Sequence, residues 1–400
     1  MASADAMSEV GEEMASLPVT DDLLAEIFLR LPTAADLIRA SAVCVSFGRL
    51  ITTRSFARRF RKLHVPPLLG FIDEEQIFHP AAPPHPSAAA ASATALVADF
   101  SCSFLPTPAR ARVWVHRDSR DGRILLDTDE AAVFKEMAVC DPLHRRYLLL
   151  PPIPEDLAAS VEDPLAVEAF LVPPSDEEEE AAEETSFRVI WMAQCTTKVL
   201  TFVFSYNTGQ WRAISPLCWN DSFPSLVPSE DTLFHFRQYA YGCFYWTSDS
   251  DAETDMLVLD TRRMEFSVAQ PPEEAKSSYG LAMAMVEAGE NRPGMFTVTS
   301  DTYALSYCIR RNKDGSLTQW DKNKTIPQGP GRFLIGSVPG YLLLYNYGRG
   351  FYTLDVKTFK LEKICQAILY FFLNLHSYSN FPPSFLSWPT ISTGKFSFTS

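Results

Sequence analysis

The chain has 400 residues and a net charge of −14. That balance argues against a general binder of nucleic acid or anionic membrane, since phosphate affinity needs clustered Lys and Arg. The 46% hydrophobic and 12% aromatic content is ample for a sizeable core, as two or three domains or one large all-β unit. Eight scattered cysteines without a C-x-x-C pair fit reduced thiols in a cytosolic or nuclear protein better than a zinc site or disulfide frame. Residues 1–16 carry acids and lack a basic start followed by an apolar run. They read as a disordered acidic tail with no secretory signal. From Leu17 the pattern turns helical. Leu23, Leu24, Ile27, Phe28 and Leu31 recur three and four apart and fall on one side of a predicted helix. Thr20, Asp21 and Asp22 suit its N-terminus, and Pro32 stops it. Thr33-x-x-Asp36 opens a second helix through Ala40, and Val43, Cys44, Phe47, Leu50 and Ile51 repeat the pattern on a third. Such short helices bury little surface alone, so periodicity by itself reads as a helical cap on a larger domain.

The identities along this stretch resemble an F-box. Leu17-Pro18, Asp22-Leu23-Leu24-Ala25-Glu26-Ile27, Arg30-Leu31-Pro32, Asp36-Leu37, Arg39 and Val43-Cys44 stand where that family has the corresponding residues. The family's later Lys-x-Trp is replaced by Val45 and Phe47, which keeps an aromatic anchor without an indole donor. The resemblance implies docking onto a Skp-type adaptor and, through it, a cullin–RING ubiquitin ligase. Leu17, Pro18, Leu24, Ile27, Leu31, Pro32, Leu37, Val43 and Phe47 are then the core or contact residues, the two sets not being divided by sequence.

Arg49, Arg54, Arg58, Arg59, Arg61 and Lys62 form a basic run, read as a solvated helix face rather than a nucleic-acid arm. Leu68 to Ile72 predicts a buried strand, and the Pro/Ala/Ser-rich stretch from His79 to Ala95 predicts a loop. A loose repeat follows: apolar strands, a polar Asp or Asn turn, then an aromatic or aliphatic residue. The turns are at Asp141, Asn207, Asp260, Asn312 to Gly315, and Asp355, and the later residues include Trp211, Phe266, Trp320 and Leu361. The roughly 40 to 65 residues between turns bracket a four-stranded propeller blade. Five units are clear, and residues 68–105 supply a sixth. The fold class is therefore multidomain α + all-β: a three-helix N-terminal module, then a β-propeller of about six blades of roughly 50 residues, with a β-sandwich or a stack of meanders as the alternative. The later pieces Asp121 to Leu126, Cys140-Asp141-Pro142, Leu150 to Pro154 and Tyr378 to Ser384 are similar to the F-box-associated, kelch-like region of grass-type plant F-box proteins. The expected divisions are a tail at 1–16, the helical module at 17–64, the propeller at 65–376 and an extended segment at 377–400. The acidic block at 176–184 reads as a solvated loop insertion.

No H-E-x-x-H, G-x-S-x-G or G-x-x-x-x-G-K-[ST] motif occurs. His79 and His85 flank a proline-rich stretch and read as loop residues rather than metal ligands. Gly329-Pro330-Gly331 and Gly348-Arg349-Gly350 read as turns. The expectation is a non-catalytic adaptor with no catalytic residue, cofactor or metal, whose partners are a Skp-type adaptor and an unidentified protein substrate. Neither nucleic acid nor membrane is expected as a partner, and the location is cytoplasmic or nuclear. Two alternatives stand beside it: an F-box scaffold or transcriptional co-regulator without a degradation role, and a propeller with its own small-ligand or enzymatic site.

Overall fold

The computed structural model describes residues 20–31, 34–109, 113–173, 186–224, 226–229, 232–248, 255–275, 283–290, 292–299, 303–310, 320–328, 331–366 and 375–380. The chain divides into two compact units, Met1–His64 and Val65–Ser400.

The described part of the first unit holds four helices: α1 (Asp21–Leu29), α2 (Ala34–Ser41), α3 (Val45–Ile51) and α4 (Arg54–Leu63). The Thr20 hydroxyl accepts from the Leu23 N–H at 3.4 Å, satisfying a donor that the helix start leaves open. Thr53 does the same for the Phe56 N–H at 3.4 Å, and this cap begins a helix that the three-helix expectation lacks. Phe56 and Phe60, one turn apart within the basic run, are buried. Phe60 stacks on His64 at 4.0 Å, and His64 Nε2 donates to the Leu29 carbonyl at 2.8 Å, tying the end of α4 to the end of α1. Arg59 pairs with Glu26.

α1 turns inward only part of the apolar side that its spacing marks. Ala25, Phe28 and Leu29 are buried, whereas Leu23 is 53% and Ile27 49% exposed. The helix carries more apolar residues than one stripe can hold. Positions 25, 28 and 29 are contiguous on the side that meets α3 and α4, and at about 100° per residue positions 23 and 27 fall opposite.

The second unit is a six-bladed β-propeller. The chain enters through β1 (Leu68–Ile72) and β2 (Phe78–Pro80), and five antiparallel meanders follow. The first runs β3 (Trp114–Arg120), β4 (Arg123–Thr128), β5 (Met137–Asp141) and β6 (Arg146–Leu149). The second runs β7 (Pro164–Val172), β8 (Arg188–Cys195), β9 (Lys198–Ser205) and β10 (Gln210–Ala213), with β11 (Leu217–Cys218) also on β9. The third runs β12 (Phe234–Ala240), β13 (Cys243–Ser248), β14 (Met256–Asp260) and β15 (Glu265–Ala269). The fourth runs β16 (Met283–Glu287), β17 (Pro293–Val298), β18 (Leu305–Arg310) and β19 (Trp320–Ile326). The fifth runs β20 (Arg332–Val338), β21 (Tyr341–Asn346), β22 (Gly350–Asp355) and β23 (Leu361–Cys365).

The last strand, β24 (His376–Ser379), returns to pair antiparallel with β1, Phe71 facing Ser377. The sixth blade thus has the order β2-β1-β24. It draws on both ends of the unit rather than on residues 68–105, and β24 runs across residue 376, where the sequence reading ends the propeller. Pairing the edge of β1 with a distant strand closes the ring and removes an open sheet edge. The stretch read as a loop from 79 to 95 contains most of α5 (Ala88–Val97). Alanine is the strongest helix former, and α5 packs on β1 and β2 with Ala91 and Thr94 fully buried.

The repeated Asp residues serve as turn formers, as their spacing predicts. The Asp141 carboxylate accepts from the N–H groups of Leu143 and His144, both at 3.1 Å. Asp260 accepts from Arg262 and Arg263 at 2.8 and 3.1 Å, and Asp355 from Lys357 and Thr358 at 3.0 and 2.6 Å. Each turn ends on a left-handed residue: Arg145, Met264 and Phe359, with φ of 53°, 55° and 58°. The aromatic residue that follows has a purpose in two blades. The Trp211 indole donates to the Pro151 carbonyl and that of Trp320 to the Gln270 carbonyl, both at 2.9 Å. Each ties the outer strand of one blade to the chain arriving from the blade before.

Candidate functional site

Two surfaces are candidates for function: the exterior of the helical unit and the axis of the propeller. On the first, the nine residues singled out by sequence do not form one class. Leu17, Pro18 and Pro32 lie outside the described residues. Leu37 is fully buried, and Leu24, Leu31 and Phe47 are half-buried. Phe47 meets Phe28 edge to face at 5.0 Å. Ile27 and Val43 are exposed, Val43 by 71%. The exposed Leu23 and Val45 belong with these two, although sequence reading placed Leu23 only on the apolar side of the first helix and marked Val45 only as a departure from pattern. With Leu63 of α4, five large apolar side chains among the described residues therefore stand in solvent on a unit whose core is built from other residues.

At the axis, the inner strands β24, β3 and β7 run side by side, as do β12, β16 and β20, and their side chains bond from blade to blade. The Ser119 hydroxyl donates to the Ser377 carbonyl at 2.6 Å. The Leu171 N–H donates to Asp118 Oδ2 at 2.7 Å, and Arg120 Nε donates to the Leu171 carbonyl at 3.2 Å. Gln238 donates to the Met283 carbonyl at 2.9 Å and accepts from the Met285 N–H, while Ser337 donates to the Met285 carbonyl. These bonds satisfy polar groups that the sheet ladders leave free at the axis.

Among them lies a charge cluster. Arg237 contacts Asp118 at 3.3 Å and Glu168 at 3.2 Å, with its guanidinium 4.2 Å from the centre of the Phe170 ring. The Trp246 indole donates to the second Glu168 oxygen at 2.5 Å. Burial pushes the Glu168 carboxyl above the usual range, and Arg237 and the indole oppose that rise. Burial works against the Arg237 charge, but Asp118 and Glu168 together outweigh it and hold the guanidinium firmly protonated. Beside the cluster, His116 of β3 and His376 of β24 stack at 4.0 Å. Burial lowers His376 to about 4, Arg237 and Arg117 adding to the shift and Asp118 opposing it. Burial and the neighbouring His376 place His116 well below the ordinary histidine range.

A cavity of about 310 Å³ opens along this axis, lined by Asp118, Arg120, Gln238, Tyr239, Ser337 and His376 among others. Sequence reading missed all six. The signal that could have found them is weak: polar residues at inner-strand positions of successive repeats, visible only once the inner strand of each repeat is known. Among the described residues no group of three or more His, Cys, Asp or Glu could hold a metal ion. His79 instead meets Asp73 at 2.7 Å, and His85 is buried with Nδ1 accepting from the Ser87 N–H at 3.2 Å. All eight cysteines are free thiols. No described helix is long and apolar enough to cross a membrane. The acidic block at 176–184 lies outside the described residues.

No protein-family model matches the chain, and no curated protein matches it. Solved structures with some likeness include PorZ, a surface component of the type-IX secretion system of Porphyromonas gingivalis. It has 10% identity and a TM-score of 0.33 over 62% of this chain. The chain spans about a quarter of PorZ, 27% of its length. The α-L-arabinofuranosidase Arb93A of Fusarium graminearum has 13% identity and a TM-score of 0.36, over 67% of this chain and 88% of the other. An oligogalacturonate lyase of Vibrio parahaemolyticus has 10% identity and a TM-score of 0.34, over 62% and 64%.

Proposed function

We propose that this protein is the substrate-recognition adaptor of an SCF-type cullin–RING ubiquitin ligase: the N-terminal unit is an F-box that docks on a Skp-type adaptor, and the propeller binds a protein substrate. The observation that carries the reading is the set of exposed apolar side chains on the helical unit, Leu23, Ile27, Val43, Val45 and Leu63. Apolar groups concentrated on so small a unit favour a protein partner over permanent contact with water. Ile27 and Val43 are also among the residues that the F-box resemblance gives as core or contact. In this reading the protein contributes no catalytic residue. It raises the rate of ubiquitin transfer by holding substrate near the charged conjugating enzyme, in the cytoplasm or nucleus.

The test is binding of the full chain to a purified Skp-type adaptor by calorimetry. An Ile27→Asp, Val43→Asp double variant alters only exposed positions and keeps its helical fold. Burying a charge in an apolar contact costs roughly several kcal/mol, so the variant loses adaptor binding altogether. Absence of binding by the folded wild-type chain sinks the reading, as does unchanged binding by the variant.

A further inference from the structure

We propose that the axial cavity of the propeller binds a single carboxylate of an extended peptide, with Arg120 as its partner. Arg120 ends β3 at the cavity wall. Its Nε donates to the Leu171 carbonyl, and its guanidinium carbon sits 4.1 Å from the centre of the Tyr239 ring. These two contacts orient the group while using one of its five N–H donors. A guanidinium held by an aromatic face keeps its edge for an acceptor, and its planar fork matches a carboxylate.

The charge balance selects the ligand. Arg237, the other arginine lining the cavity, is engaged by Asp118 and Glu168. Asp118 is further used by the Leu171 N–H. Asp121 also lines the cavity but lies in the exposed β3–β4 turn. Among the described residues no carboxylate lies within ion-pair distance of Arg120. One unpaired cation beside several carboxylates suits a monoanion and disfavours a phosphate dianion, which the nearby acids would repel. The remaining wall mixes apolar residues, Phe236, Leu334, Ile335 and Leu375 among them, with polar ones such as Ser119, Gln238, Ser337 and Ser379, and so does not select the residue next to the carboxylate. A volume of about 310 Å³ admits a side chain or a chain end, not a folded surface. Two sources share this chemistry: an internal Asp or Glu, and a C-terminal carboxylate.

The inference rests on the propeller alone and not on the adaptor reading, and its test contains no adaptor protein. The probes are fluorescein-labelled octapeptide pools of otherwise uncharged random sequence, read by anisotropy against the full chain. One pool fixes a central Glu with an amidated end, one a central Gln with a free C-terminus, one a central Gln with an amidated end, and one a central phosphoserine with an amidated end. The expected result is that the Glu pool or the free-end pool binds at least about tenfold tighter than the neutral pool, and which of the two does so identifies the source. Arg120→Gln removes the difference. Ser379→Glu, which tethers a carboxylate in the same cavity, lowers binding to the level of the neutral pool. It decides the matter if Arg120→Gln does not fold. Equal affinity for all pools, no measurable binding, tighter binding of phosphoserine, or full binding by a folded variant overturns the proposal.

Discussion

Arg237 shows how a single residue can hold a ring of blades together. It stands on β12, while its partners Asp118 and Glu168 stand on β3 and β7, so three blades share one charge. Replacing it with Met keeps an unbranched apolar side chain near Phe170 but leaves two carboxylates facing each other without a cation. Breaking a buried pair from one side costs about 3–5 kcal/mol, and chemical denaturation of Arg237→Met against wild type should show a loss of that size. The stacked histidines make a second case. Both folded-state values lie below the ordinary 6.5, so the unfolded chain takes up protons that the folded chain refuses as pH falls below that value. Stability is therefore complete above about pH 6.5 and declines toward pH 4, His376 alone accounting for up to ~3 kcal/mol. His376→Phe keeps a flat ring against His116 among Asp118, Arg117 and Arg237. Unfolding measured at pH 7 and pH 5 should show a smaller acid loss in this variant than in wild type, and identical losses would contradict the assignment.

At the scale of elements, local chemistry and long-range packing separate cleanly. The caps of α1 and α4 and the Asp turns of the blades involve partners two to four residues away, and each acts as its residue type dictates. The inward face of α1 is not local. Six apolar positions of α1 compete for it, and contact with α3 and α4 selects 25, 28 and 29. α5 departs from expectation in the other direction. Ala-rich composition was weighed as low complexity, yet β1 and β2 give the helix a surface to cover, and packing rather than propensity supplies most helix stability.

For the whole molecule the decisive event is ring closure. β24 supplies the inner strand of the sixth blade. Its Tyr378 is fully buried, donates to the Gly122 carbonyl at 3.3 Å and packs edge-on against Phe100 at 4.9 Å. Gly122 must be glycine there: its φ is +78°, and a Cβ would collide with the Asn380 side chain. Removing residues 375–400 strips this strand and reopens the edge of β1. The truncated chain should melt at a lower temperature and be cleaved by protease in the β1–β2 region before the middle blades. A truncated chain that melts like the full one would show that closure contributes little.

The amino-acid sequence by itself determined what depends on near neighbours. The repeat of strand and turn marked five blades, because hydrophobic alternation and Asp turn chemistry act over a few residues. The first helical pattern likewise marked where α1 begins. The tertiary structure alone decided the blade built from both ends of the unit, the face of α1 left in solvent, and the meeting of Asp118, Glu168 and Arg237 beside an unpaired Arg120. None of these has a local signature. Each is set by which distant strands the closed ring brings side by side, and by the burial that results, which alters both the charge state of a side chain and its choice of partner.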